Sequence, residues 1–68
     1  MNVNDYDVAV RFYNGFGKYL YTEHCPWFFR DNAIEDARDW LEVCRNEGLK
    51  PTNISVRGRN GRFIKWRN

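Results

Sequence analysis

Apolar and polar residues alternate in the first hydrophobic segment of the chain. Val8, Val10 and Phe12 interleave with Asp7, Ala9, Arg11 and Tyr13, the period of two of a strand with one buried face. Asn14-Gly15 follows at once and suits a tight hairpin turn with positive φ angles, although Gly17 also permits a longer turn through Phe16 and Gly17. A second strand is expected over roughly Lys18 to Thr22. Glu23-His24-Cys25-Pro26 then interrupts the alternation, because the residue before a proline is pushed out of helical geometry and proline has no N–H for a ladder. A loop is expected there.

The next segment changes period. Ala33, Ala37, Trp40, Leu41 and Cys44 recur at spacings of three and four, with Glu35, Arg38, Asp39, Glu42 and Arg45 largely on the other side, which predicts an amphipathic helix from about Ala33 to Glu47. Asn32 with Glu35 three residues on has the form of a capping box, and Asp31, Glu35 and Asp36 place negative charge at the positive end of the helix dipole. Gly48 can close the helix in the left-handed conformation, with Leu49 folding back and Pro51 preventing continuation. Alternation resumes at Asn53-Ile54-Ser55-Val56-Arg57, and Asn60-Gly61 marks a second hairpin before Arg62-Phe63-Ile64-Lys65-Trp66-Arg67. The predicted order is ββαββ: a two-layer α+β fold in which one four-stranded antiparallel sheet carries the helix on one face, as a single domain over residues 1–68.

Size sharpens this picture. A chain of 68 residues buries only about 60% of the surface exposed when unfolded, so a deep multi-group active site would compete with the core for side chains. An aromatic content of 18% offsets the small core, because each ring buries more apolar area than an aliphatic side chain, and disorder is not expected. Met1 to Asp7 has two acids, no base and no apolar run, and Trp27-Phe28-Phe29 is far too short to cross a bilayer, so a cytoplasmic protein without membrane contact is expected. In such a compartment Cys25 and Cys44 read as free thiols. A single histidine, His24, leaves too few ligands for a closed zinc site, and no metal or cofactor is expected. Trp27 and one of the two following phenylalanines are expected to plug the end of the sheet; an alternative is that this aromatic loop completes the core across a two-fold axis, so the oligomeric state stays open.

Charge points to where function lies. The net charge is +2, but Lys50, Arg57, Arg59, Arg62, Lys65 and Arg67 stand in a C-terminal stretch without a single acid, whereas all the acids lie before it. The second hairpin, tipped by Arg57-Gly58-Arg59-Asn60-Gly61-Arg62, is therefore a candidate finger for a phosphate backbone or an acidic protein patch, a role that the acidic first half is not expected to share. If Val8, Val10, Phe12, Leu20, Ile54, Val56, Ile64 and Trp66 face the helix, the alternation sends Arg11, Tyr13, Tyr19, Tyr21, Arg57, Phe63, Lys65 and Arg67 to the uncovered face. Rings stack on bases and cations neutralise phosphates, so that face suits single-stranded nucleic acid; the same residues also serve an open sheet as strand formers and solubilising charges. In strand two the opposite register would turn Tyr19 and Tyr21 inward. Catalysis finds little support: His24 and Cys25 are adjacent and point opposite ways in an extended segment, the helix acids read as a solvated face, and the glycines form no phosphate-binding loop.

A hairpin, a capped helix ending Asn46-Glu47-Gly48-Leu49 and a strand pair around Asn60-Gly61 resemble, in size and element order, the small α+β proteins encoded by bacteriophages, such as anti-CRISPR proteins and inhibitors of host RNA polymerase. Asp31 to Leu41 after a hairpin is also similar to the sheet-then-helix part of phage integrase arm-binding domains, which place three strands before the helix where two are legible here. The resemblance implies a non-enzymatic phage or mobile-element protein that inhibits or modulates a host nucleic-acid-handling complex through the basic C-terminal hairpin. Its partner would be a host protein or ribonucleoprotein complex. The alternative is a module that binds nucleic acid directly through the basic, aromatic sheet face.

Overall fold

The alternation around Val8 and Val10 does produce a strand, and this strand becomes the centre of the sheet. A computed structural model describes residues 5–48 and 53–67, with β1 (Tyr6–Tyr13), β2 (Tyr19–Trp27), α1 (Arg30–Asn46) and β3 (Ile54–Arg57). The sheet has three antiparallel strands in the order β2-β1-β3. Val8 and Val10 on β1 and Ile54 and Val56 on β3 are buried on the face covered by α1, opposite one another in the register.

The expected four-stranded ββαββ sheet is not formed among the described residues. After Arg57 the chain turns and makes a single bridge, Arg57 to Phe63, closed by Ile64 N–H to the Val56 carbonyl and Gly58 N–H to the Arg62 carbonyl, both at 2.8 Å. It then leaves the sheet. Trp66 inserts into the core, and its carbonyl accepts from Arg38 Nε at 3.3 Å. Burying the indole under the helix is worth more than extending a ladder beside a strand of only four residues.

β2 is longer than expected and absorbs the predicted loop, running through Pro26 to Trp27. As an edge strand with β1 as its one neighbour, it tolerates a residue without an N–H wherever that nitrogen faces away from the sheet. The register slips between Phe12 and Tyr13, where Phe12 faces Tyr21 and Tyr13 faces Tyr19, so Leu20 is the extra residue of a β-bulge. Both turns share one geometry. Gly17 N–H donates to the Asn14 carbonyl (3.0 Å) and Asn14 N–H to Lys18 (2.9 Å), while Gly61 N–H donates to Gly58 (2.9 Å) and Gly58 N–H to Arg62 (2.8 Å). Gly17 and Gly61 take φ of 81° and 80°, which a side chain would strain. The first hairpin thus uses its longer alternative, and the second turns at Gly58–Gly61 instead of on Asn60-Gly61 alone.

Since β2 continues to Trp27, only Phe28 and Phe29 connect it to α1, and the helix starts at Arg30. Ala33 N–H donates to the Phe29 carbonyl at 3.1 Å, no side chain caps the end, and Asn32 sits inside the first turn in place of the expected capping box. At the other end Gly48 has φ +76° and its N–H reaches the Arg45 carbonyl (3.2 Å). The expected contributions of Leu49 and Pro51 lie outside the described residues. Ala33, Ala37 and Cys44 are fully buried and bring the helix close to the sheet, with Ile34, Trp40 and Leu41 packed around them. Trp27 plugs the sheet end and donates Nε1–H to Asp36 at 2.8 Å, but Phe28 and Phe29 both stay exposed, contrary to the expectation that one would be buried. Among the described residues no helix is long and apolar enough to cross a membrane.

Cys25 on β2 and Cys44 on α1 are free thiols. Burial pushes Cys44 above the ordinary value near 9.0. For Cys25 burial also dominates and raises the value, opposed by a hydrogen bond from Trp40 and reinforced by the charges of Asp36 and Glu23. Above pH 9 the unfolded chain therefore releases protons that the folded chain retains, so stability falls as pH rises. Each thiol contributes at most about 1.4 kcal/mol per pH unit to that fall. Urea denaturation at about pH 8 and about pH 10 should show a smaller loss for Cys44→Ala than for the parent, whose other titrating groups are the same. Equal losses in the two would contradict it.

Candidate nucleic-acid interface

Among the described residues nothing covers the face of the sheet opposite α1, and the register assigns its residues. Asp7, Ala9, Arg11 and Tyr13 on β1 lie beside Pro26, His24, Thr22 and Tyr19 on β2, while Ser55 and Arg57 on β3 stand across from Ala9 and Asp7. Arg11, Tyr19, His24 and Arg57 are exposed. Arg57 holds its guanidinium over the Phe63 ring, 4.8 Å from the centroid, so the single bridge after β3 suffices to put one cation and one ring together on this face. Tyr13 and Tyr19 meet edge to face at 5.9 Å, and Tyr19 Oη shares a hydrogen bond with Thr22 Oγ1 at 2.6 Å. His24 Nδ1–H donates to the Asp7 carboxylate at 2.8 Å. Its neighbour Cys25 packs toward the helix, so the two side chains do fall on opposite faces.

Of the expected interface residues, Arg11, Tyr13, Tyr19, Arg57 and Phe63 are brought together here, and others are not. Tyr21 stacks on Phe12 at 4.9 Å, and Phe12 in turn meets Trp40 of the helix, so Tyr21 belongs to the helix side. The bulge at Leu20 is the cause: it splits Tyr19 from Tyr21 where a regular strand would have kept them on one face. Arg67 lies over the Trp66 ring at 5.1 Å and borders a hollow with Arg38, Leu41, Glu42 and Arg45, again on the helix side, because the chain peels away before Trp66. Lys65 is exposed in that same irregular segment.

Arg59 and Arg62 form a third location. With Tyr6, Asn60 and Ile64 they line a hollow that also includes Arg30, the first residue of α1 and one cation from the acidic first half of the chain. Arg59 Nε pairs with Asp5 at 3.2 Å, and Asn60 Oδ1 accepts from Arg62 N–H at 3.1 Å, which shapes the turn from within. Sequence reading missed Arg30 as a partner of the hairpin, and Thr22, His24 and Ser55 as residues of the open face. Thr22 and His24 become legible once β2 is extended to Trp27, since alternate positions then fall on that face.

Comparison with known proteins finds no family model that matches the chain, no characterised protein that matches it and no matching solved structure.

Proposed function

We propose that the protein is a non-enzymatic binding protein that engages a nucleic-acid-handling complex, contacting its single-stranded phosphodiester backbone through the uncovered sheet face and the arginine-tipped hairpin. The observation that carries this reading is the interleaving of cations and rings on a face that no other described residues cover: Arg57 on Phe63, Arg11 on the central strand, and the Tyr13–Tyr19 pair. Stacking on exposed rings is worth about 1–3 kcal/mol per base, and the arginines supply the phosphate attraction that makes such binding salt-dependent. Held in this way, exposed strand would be withheld from the complex, which accords with the inhibitor role implied by the resemblance to small phage proteins. Fluorescence titration against single- and double-stranded DNA and RNA at two salt concentrations tests it. Single strands should bind more tightly than duplex, and affinity should fall steeply with salt. Absence of binding at the lower salt would overturn direct contact with nucleic acid.

A further inference from the structure

The middle of the open face holds a hollow of about 150 Å³ lined by Asp7, Ala9, Arg11, Thr22, His24, Ser55 and Arg57. It exists because Ala9, on the central strand of the three, is flanked by His24 on one side and Ser55 on the other. The short side chains of Ala9 and Ser55 among the longer ones of Asp7, Arg11, His24 and Arg57 leave a floor with a polar rim. At roughly 30 Å³ per water the space equals about five waters, too small for a nucleoside and sufficient for one phosphoryl group.

We infer that this hollow is a phosphate-binding site, which rests on the reading of the open face as a nucleic-acid surface and specifies where on it the backbone is gripped. Residues that carry donors line it from all three strands: Arg57, whose guanidinium also lies over Phe63, and Ser55 on β3, Arg11 on β1, and Thr22 on β2, whose hydroxyl can donate while it accepts from Tyr19 Oη–H. A carboxylate offers two oxygens in one plane, whereas a tetrahedral phosphate can meet planar guanidinium forks and hydroxyls converging from several sides. Asp7 is the one acid among the lining residues, and its Oδ2 is occupied by His24 Nδ1–H, which also fixes the imidazole at the rim. Phe63 flanks the hollow at the Arg57 end and the Tyr13–Tyr19 pair lies beyond Arg11. Six positions along β1 at about 3.4 Å each separate those levels by about 20 Å, so a strand laid along β1 would have rings at both ends and a phosphate held between them.

The test uses Ala9→Ile, which fills the hollow with a good strand former and alters no charge, beside Arg11→Gln/Arg57→Gln. Thermal melting first confirms folding. Inorganic pyrophosphate, titrated while backbone amides are followed by NMR, should perturb Ala9, Arg11, His24 and Ser55 in the parent. Affinity should fall by at least about tenfold in both variants. An oligothymidylate should lose a similar factor in Ala9→Ile. Perturbation centred instead on Gly58 to Arg62, unchanged pyrophosphate affinity in Ala9→Ile, or displacement at these amides by an acidic peptide without any effect of pyrophosphate would each overturn the site. If pyrophosphate binds at Ala9 while no oligonucleotide binds, the site stands as one for small phosphates and the nucleic-acid reading falls. If the oligonucleotide binds Ala9→Ile as it binds the parent, that reading stands and this site is wrong.

Discussion

Trp66→Ala should unfold most of the population or leave a domain with little cooperative transition, although Trp66 belongs to no strand or helix. Replacing a buried aromatic by alanine costs about 3–5 kcal/mol, while a chain of this length has a total stability of roughly 3–10 kcal/mol. Among the described residues the rest of the buried cluster consists of Val8, Val10, Ala33, Ala37, Cys44, Ile54 and Val56, all smaller than an indole. Several of the positions on the helix are small, so the helix approaches the sheet closely and the space at the open end is filled by Trp66. Loss of the ring would also loosen the anchor of the C-terminal segment, in which Arg38 Nε reaches the Trp66 carbonyl and Arg67 covers the indole. Urea denaturation followed by circular dichroism measures this directly, and Trp66→Phe should retain much more stability because it keeps most of the volume. A midpoint for the alanine variant close to that of the parent would mean that the segment is peripheral and the core complete without it.

The role of Trp66 shows where sequence reading succeeds and where it stops. The helix stripe at Ala33, Ala37, Trp40, Leu41 and Cys44 and the buried face of β1 follow from periodicity, since burying one side of a regular element leaves a mark on every turn or every second residue. Ile64 and Trp66 alternate with Phe63, Lys65 and Arg67 no less well, yet Trp66 is drawn into the core and the ladder ends after one bridge. Alternation identifies a segment able to form a strand; the competition between a further pair of ladder bonds and an indole-sized space under the helix is tertiary. Pro26 misleads in the opposite direction. Its effect on a strand depends on whether a second neighbour needs its nitrogen, and the order β2-β1-β3 leaves β2 at an edge. The candidate site was legible in residue type, since Arg11, Tyr13, Tyr19, Arg57 and Phe63 do share a face, and illegible in assembly. A one-residue bulge at Leu20 removes Tyr21, the departure of the chain after Ile64 removes Arg67, and Ala9 is informative only when its cross-strand neighbours are known.

Arg59→Glu/Arg62→Glu should weaken capture of a single-stranded oligonucleotide by well over about tenfold at near-physiological salt and lower the slope of log K against log salt by about one unit for each arginine. The expectation rests on position. Both guanidinium groups stand at the tip of a turn held by Gly58 and Gly61 backbone bonds, which do not depend on the arginine side chains, and both share a hollow with Arg30. Folding should therefore change little. The Arg59–Asp5 pair, with the arginine side chain 74% exposed, is of the surface kind that contributes about 0–1 kcal/mol, and placing Glu beside Asp5 replaces a weak attraction with a weak repulsion. Reversal acts twice on a polyanion, by removing two attractive charges and by adding two repulsive ones, so it should exceed the effect of Arg59→Gln/Arg62→Gln. The salt slope separates the two contributions: the neutral variant lowers it in proportion to the phosphates that the arginines no longer neutralise, and the reversed variant reduces affinity further at low salt, where screening is weakest. Unchanged capture in a folded double variant would remove the hairpin from the interface and leave the open face, with Arg11, Arg57 and Phe63, to hold the strand alone.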